Sequence, residues 1–283
     1  MKKIAGIVTL YEPPSNILSN IDTYYKAIDI LIVLDNSPIK SSEILKTINN
    51  KYNCVYYSFG KNLGLAYALD YGCKIADNLN CDYVLMMDQD SYFEDNSADK
   101  LVDFAKNNQM IYGMICPNVK NLYYSKGEFL KGNSIYNLCK DSEVKWAITS
   151  GSLVSLWHYF ESGGIDKFLF IDHIDRELGI KFYIKKFKIY ILNEAILYQR
   201  PGNSKEVKVF GKLFHPSCHK PQRVYYIFRN HFYLKKKYKK LYTKFFSPAL
   251  YKIILSIIFF EDNKQKKLYL MFLGIRDSKT NLE

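Results

Sequence analysis

No stretch of this sequence reaches the roughly 18 consecutive apolar residues of a membrane span. The nearest run, Ile253 to Phe260, is far too short. Tryptophan is scarce, with 2 residues. The six cysteines (54, 73, 81, 116, 139 and 218) show no C-x-x-C spacing. That excludes an obvious zinc site or disulfide framework and fits reduced thiols in a cytosolic protein. No Gly-x-Ser-x-Gly is present, so nothing supports a hydrolase nucleophile elbow. Internal repeats and low-complexity tracts are absent too. The N-terminal Lys2-Lys3 and Ile4 to Leu10 stop at Glu12-Pro13-Pro14 rather than at a small-residue cleavage site. They read as a first strand, not as a secretory leader.

What is present is apolar and basic. Of 283 residues, 48% are hydrophobic and 24% charged, enough for a substantial core and one large domain with or without a smaller extension. The net charge is +12, which implies an anionic partner: nucleic acid, anionic lipid or a phosphorylated small molecule. The excess lies late in the chain, at Lys181, Lys185, Lys186 and Lys188, at Lys235 to Lys237, Lys239, Lys240 and Lys244, and at Lys264, Lys266 and Lys267.

Apolar runs at Ile4 to Leu10, Ile28 to Leu34, Cys54 to Ser58 and Tyr83 to Met87 read as strands. Between them, Asn16 to Ala27, Ser41 to Asn49 (capped by Ser41 or Ser42) and Asn62 to Asn78 read as helices. The alternation predicts βαβ units in a largely parallel, doubly wound sheet. Ligands collect at the carboxyl ends of such strands. Thr9-Tyr11-Glu12, Asp35-Asn36, Asn62 and Asp88-Asp90 all fall there. Residues 114–146 look less regular. Trp146 to Leu153 reads as a strand leading into a Ser-Gly turn. A composition shift at 201–204 marks a soft boundary between residues 1–205 and a basic, aromatic, helical region at 206–283.

In Tyr83-Val84-Leu85-Met86-Met87-Asp88-Gln89-Asp90 an apolar strand ends in two carboxylates one residue apart. If the segment stays extended, Asp88 and Asp90 point to one side and can converge on a cation. Hard oxygen ligands suit Mg²⁺ or Mn²⁺, held by one or two carboxylates plus substrate phosphates. The plainer alternative is a polar turn after a buried strand. A second acidic cluster lies at Asp172, Asp175 and Glu177. If Asp172 opens a helix, residues 172 and 175 share a face.

Seven segments in order resemble family 2 glycosyltransferases of the GT-A fold, and more narrowly a bacterial polysaccharide rhamnosyltransferase branch. They are Gly6-Ile7-Val8-Thr9, Val33-Leu34-Asp35-Asn36-Ser37, Asn62-Leu63-Gly64-Leu65-Ala66-Tyr67-Ala68 and Met87-Asp88-Gln89-Asp90-Ser91. Thr149-Ser150-Gly151, Phe170 to Glu177 and Arg223 to Asn230 follow. The resemblance implies an α/β nucleotide-diphospho-sugar transferase fold, with a nucleotide-sugar half at about 1–115 and an acceptor half at about 116–205. It implies a nucleotide-sugar donor, a divalent cation (Mg²⁺ or Mn²⁺) and inversion at the anomeric carbon. Thr9, Tyr11, Glu12 and Asp35 would hold the nucleoside. Asn62 and Gly64 would let the backbone approach the diphosphate. Asp88 and Asp90 would place the metal, with Gln89 beside the donor and His219 as either a third ligand or a plain loop residue. Arg223 and Arg229 would pair with phosphate oxygens. Ser150 and Gly151 would shape the acceptor pocket. Asp175 aligns with the family's base and Asp172 is the alternative; a helix-capping or ion-pairing role for Asp175, and a simple turn role for Asp35, stay open. Three positions depart from the family pattern: Asp70 for Asn, Lys181 for Arg, and Gln199 for a metal-binding His.

From Val224 to Leu241 and Ser247 to Phe272, aromatic and aliphatic residues interleave with lysines. Basic amphipathic helices of this kind read as membrane-surface elements; a helical subdomain packed on the core, or dimerisation through these helices, are the alternatives. The resemblance implies a lipid-linked glycan acceptor, such as one built on polyprenyl diphosphate. The expected location is therefore cytoplasmic, at the inner face of the membrane. The charge alone would also fit a nucleic-acid binder, but no nucleic-acid module is recognisable and the acidic cluster would repel phosphate. A transferase-like scaffold that binds without turnover is a further alternative.

Overall fold

The structure, a computed structural model, describes residues 2–39, 42–108, 111–125, 128–136, 138, 140–200, 207–209, 212–214, 218–246 and 250–279. The boundary expected at 201–204, Cys139 and the Ser41 cap lie outside them. The elements, in chain order, are β1 (Ile4–Leu10), α1 (Ile17–Tyr25), β2 (Ile30–Asp35), α2 (Ser42–Lys51), β3 (Cys54–Ser58), α3 (Leu65–Asn78) and β4 (Tyr83–Asp88). Then come β5 (Tyr92–Phe93), α4 (Ser97–Asn107), β6 (Tyr112–Ser125), β7 (Glu128–Ser134), β8 (Ser142–Val144), β9 (Ser152–Ser155) and α5 (Leu156–Glu161). The chain continues with α6 (Ile174–Ile184), β10 (Lys188–Gln199), α7 (Pro221–Tyr238), α8 (Leu250–Phe260) and α9 (Lys264–Asp277).

The main sheet runs β3-β2-β1-β4-β9-β6-β10-β5, with β7 on β6 and β8 on β10. Its first four strands are parallel. Beyond β4 the sheet is mixed: β9 is antiparallel to β4 and β6, and β5 is antiparallel to β10. The largely parallel expectation thus holds for one half. The other half combines a parallel β6–β10 pair with antiparallel neighbours β9, β7, β8 and β5.

The sheet is buried on both faces because its strands alternate between two cores. In β4, Val84 and Met86 join Leu69 and Cys73 of α3, Tyr159 of α5, and Leu178 and Phe182 of α6. Tyr83, Leu85 and Met87 join Ile17 and Ile21 of α1 and Leu101 and Val102 of α4 on the other face. Each helix supplies its stripe at helical spacing: α1 buries Ile17, Asn20, Ile21 and Tyr24. Full burial of each such aliphatic side chain contributes about 1.5–3 kcal/mol. This slab presents the strand ends that carry Thr9, Asp35 and Asp88.

Two expectations about local structure are corrected. Strand β9 follows the Ser-Gly turn instead of leading into it, because Gly151, at φ 76, is the residue that can reverse the chain. Asp172 does not open a helix. It stands at φ 66, followed by His173 at φ 67, and α6 begins only at Ile174.

Candidate active site

The cleft is assembled at the carboxyl ends of β1, β2 and β4. Thr9 and Asp88 are register partners on adjacent strands, so their side chains stand side by side on one face. Thr9 Oγ1 is buried and has no partner among the described residues. A buried hydroxyl left that way is costly unless a ligand completes it. Asp90 does not continue the strand: it lies in a turn closed by the Ser91 N–H to the Asp88 carbonyl at 3.3 Å. The two carboxylates therefore meet through a turn, not through the alternation of an extended strand.

Their closeness is recorded in their proton affinities. Loss of solvation, then the Asp90 charge, pushes Asp88 up to about 7, with a smaller push from Asp175. Desolvation also raises Asp90, while Arg200 and Arg223 oppose it. Asp175, in the first turn of α6, is raised chiefly by desolvation and opposed by Arg176. The charges of Asp90 and Asp175 both act on Asp88, so the three carboxylates are gathered at one place.

Gln89 is tied to the backbone at Tyr11 and to Asn20. Its amide donates to the Tyr11 carbonyl and accepts the Tyr11 N–H, at 3.0 and 2.9 Å, and its own carbonyl accepts from Asn20. It positions the Tyr11 backbone; the Tyr11 ring stays exposed. Glu12, at φ 47, donates its N–H to the Ser37 hydroxyl. Asp35 is buried, and its carboxylate already accepts from the Ser37 N–H and the Tyr56 hydroxyl, both at 2.8 Å.

Asn62 accepts the Gly64 N–H at 2.9 Å, and Gly64 precedes α3 at φ 89. A Cβ there would lie 2.7 Å from the Phe170 carbonyl, so only glycine allows this approach. Asn36, for which the sequence indicated no role, clamps the loop. It accepts the Leu63 N–H and donates to the Gly64 carbonyl. Its place directly after Asp35 at a strand end was the available signal.

Ser150 and Gly151 serve the framework. The buried Ser150 hydroxyl donates to Ser91 and accepts the Asp88 N–H at 3.2 Å. The Gly151 N–H bonds the Met86 carbonyl at 2.7 Å. The Ser150 hydroxyl thereby positions the Asp88 backbone.

On the opposite wall, residues 170–173 carry three positive φ values, at Phe170, Asp172 and His173. Such a loop persists only when its surroundings hold it. Buried Asn230 reaches the carbonyls of Leu169, Ile171 and Asp172 at 2.8, 2.8 and 3.1 Å. Nothing in its spacing marked it. Arg223 grips Asp172 bidentately at 3.2, 3.0 and 2.8 Å, and it also faces Asp88 and Asp90. Arg176 lies 3.8 Å over the Trp146 ring and bonds the Phe245 carbonyl, which fixes the start of α6.

The Arg229 guanidinium donates to the Phe168 and Leu169 carbonyls and to Asn230. Desolvation, more than its charged neighbours Arg223, Asp172, Glu261 and Lys267, lowers the proton affinity of His219. Among the described residues, no three His, Cys, Asp or Glu gather as a metal site. Gln199 bonds Asn121 at 2.9 Å.

Residues 14–154 match glycosyl transferase family 2. The chain is 26% identical over 185 residues to the dTDP-rhamnosyl transferase RfbF of Shigella flexneri, covering 63% of this chain and 62% of that one. It is 26% identical over 214 residues to the glycosyltransferase GlyA of Streptococcus pneumoniae, covering 69% and 29%. It thus spans less than two thirds of the length of either. The fold is similar to that of GalNAc-T7 solved with UDP, GalNAc and Mn²⁺, at a TM-score of 0.62 and 10% identity over 86% of this chain and 49% of that one. Residues 1–349 of S. aureus TarS, solved with UDP-GlcNAc, give 0.56 and 13% over 97% and 72%. The architecture is GT-A-like, with helices added at the C-terminal end. By the domain at residues 14–154, the chain belongs to glycosyl transferase family 2.

Proposed function

We propose that this protein is an inverting glycosyltransferase that moves L-rhamnose from dTDP-rhamnose to a lipid-linked surface polysaccharide at the inner membrane face. The observation that carries the reading is the recess where Asp88, Asp90 and Asp175 are all raised in proton affinity. A cation-bound diphosphate and an attacking hydroxyl both need such charge. The rhamnosyl donor rests on the relative named above.

In the reaction, the acceptor hydroxyl oxygen bonds to the anomeric carbon as the bond from that carbon to the diphosphate oxygen breaks. Asp175 takes the hydroxyl proton, and the nucleoside diphosphate leaves with the bonding electrons. A positioned base is worth about 10²–10⁴ in rate. Attack from the face opposite the leaving group inverts the configuration. Asp172 is the weaker choice for base because Arg223 already grips both its oxygens.

Asp88 and Asp90 fit Mg²⁺ or Mn²⁺. They are hard oxygen donors that repel one another, and the donor's phosphates would complete the set. A bound divalent cation would offset charge on the diphosphate. The Thr9 hydroxyl and the Tyr11 ring stand ready for the nucleoside, and the Asn62–Gly64 turn admits the diphosphate.

UDP-linked hexose or galactofuranose is the second donor reading, favoured by the UDP-bound structures of similar fold. A thermal-shift screen with Mn²⁺ and dTDP-rhamnose, UDP-glucose, UDP-GlcNAc or UDP-galactofuranose tests both. Stabilisation by dTDP-rhamnose above the others supports the first reading, and stabilisation by a UDP-sugar alone replaces it with the second. Response to no nucleotide-sugar sinks both.

A further inference from the structure

We propose that the exposed apolar face of the hairpin formed by α8 and α9, with its flanking cations, docks on an anionic lipid surface. This deepens the reading above by naming the surface that would meet a lipid-borne acceptor, although the docking itself does not depend on catalysis.

Helix α8 reads Leu-Tyr-Lys-Ile-Ile-Leu-Ser-Ile-Ile-Phe-Phe, with Lys252 its single charge. A helix apolar all round belongs inside a core or a membrane. Here one side packs: Ile257 is buried, and Ile253 and Ile254 are half-buried against Val224, Ile227 and Phe228 of α7. The other side does not. Tyr251, Leu255, Ile258 and Phe259, spaced as one stripe, are 57, 47, 41 and 65% exposed. On α9, Tyr269 and Phe272, three residues apart, are 61 and 64% exposed. Apolar surface gathered in this way marks an interaction site.

Charge complementarity and length identify the occupant. Lys252, Lys264, Lys266 and Arg276 are exposed on the same two helices. A second copy of the chain would bring the same cations face to face, on a molecule already at +12. An anionic headgroup layer would instead pair with them while the rings enter the acyl boundary. At 11 residues α8 is about 16 Å long, against about 30 Å of hydrocarbon. Among the described residues no helix is long and apolar enough to cross a membrane, so the hairpin would lie in the interface plane.

The hairpin is rigidly joined to the cleft. At Gly274, α9 presses on the α7 backbone at Tyr225 and Arg229, leaving no room for a Cβ. The Tyr225 hydroxyl donates to Asp277 at 3.0 Å. The connecting turn is locked by a buried Lys267–Glu261 pair at 2.7 Å. Glu261 and Lys267 lie near enough to His219 to bias its charge, beside the Arg223–Asp172 pair. Docking would therefore set the rim of the cleft against the headgroups.

The test is co-sedimentation of the full chain with phosphatidylcholine vesicles, with and without about 30% phosphatidylglycerol. We expect binding to the anionic vesicles, weakened as NaCl rises from about 0.1 to about 0.5 M. Combining Phe259→Ser, Tyr269→Ser and Phe272→Ser should cut partitioning at least about tenfold. Combining Lys252→Glu, Lys264→Glu and Lys266→Glu should abolish the preference for phosphatidylglycerol. Far-UV circular dichroism should stay unchanged in both, since none of these side chains is buried. No binding to anionic vesicles, or equal binding by the serine variant, overturns the proposal. So does a concentration-dependent dimer that the serine variant dissociates while vesicles are ignored. Nucleotide-sugar thermal shifts measured on the same samples keep this failure separate from failure of the transferase reading.

Discussion

Asp172 and Asp175 look interchangeable in the sequence, and their surroundings separate them. Asp172 is gripped by Arg223 through both oxygens, whereas Asp175 accepts the Arg176 N–H and has its proton affinity raised by desolvation. Asp175→Asn should therefore lower kcat by about 10²–10⁴ while leaving the donor-induced thermal shift intact. Asp172→Asn should cost at least about tenfold less, because it weakens an ion pair without removing the base. Equal losses in kinetic assays of the two variants would reverse the assignment. The candidate base, the Asp-x-Asp pair and the glycine at 64 were legible because their chemistry tolerates few residue types. Gln89, Ser150 and Arg229 were not. Each is a polar residue near the acids, and only packing shows which neighbouring groups its hydrogen bonds engage.

At the scale of elements, the strands and helices of the first half were visible because each strand is an apolar run closed by a polar turn. The second half hid its order, since its strands pair in both directions with partners far along the chain, and a turn fixed by Gly151 reads equally well on either side of a strand. The loop between β3 and α3 yields a prediction. Gly64→Ala places a Cβ against the Phe170 carbonyl at a φ that disfavours side chains. It should cost about 2–3 kcal/mol of stability in denaturant melts and also weaken donor binding. The loop before α6 yields another. Asn230→Ala removes the buried amide from the Ile171 and Asp172 carbonyls, while the Leu169 carbonyl keeps Arg229. A loss of about 1–3 kcal/mol should accompany it, with kcat falling more than donor affinity because Asp175 loses its support. Unchanged kcat in a folded Asn230→Ala protein would show that the positive-φ loop holds itself.

For the whole molecule, the recess trades stability for charge. Asp88 is raised to about 7. The folded state therefore binds more protons than the unfolded state between about pH 4 and 7, and this contribution fades as pH rises through 7. His173 and His231, lowered to about 4 by burial, act oppositely below about pH 6.5. The clean window is thus pH 6.5 to 8. There the ligand-free protein should lose about 0.8 kcal/mol, or about 2 °C in Tm, as pH rises. Asp88→Asn should flatten that slope, and Mn²⁺ should restore the loss at pH 8. A slope unaltered by the substitution, read by scanning calorimetry, would place the titration elsewhere.

Residue order alone determined that a buried sheet carries acids at its strand ends and that a basic, aromatic segment follows, because hydrophobic period, turn chemistry and charge are local properties. Which acid stays unpaired, which arginine faces the cleft and which side of α8 is left bare were decided by tertiary structure. Those outcomes depend on partners distant in the sequence, such as Asp172 with Arg223, 51 positions away, and Leu169 with Asn230, 61 away, and the chain brings them together only once both cores have formed.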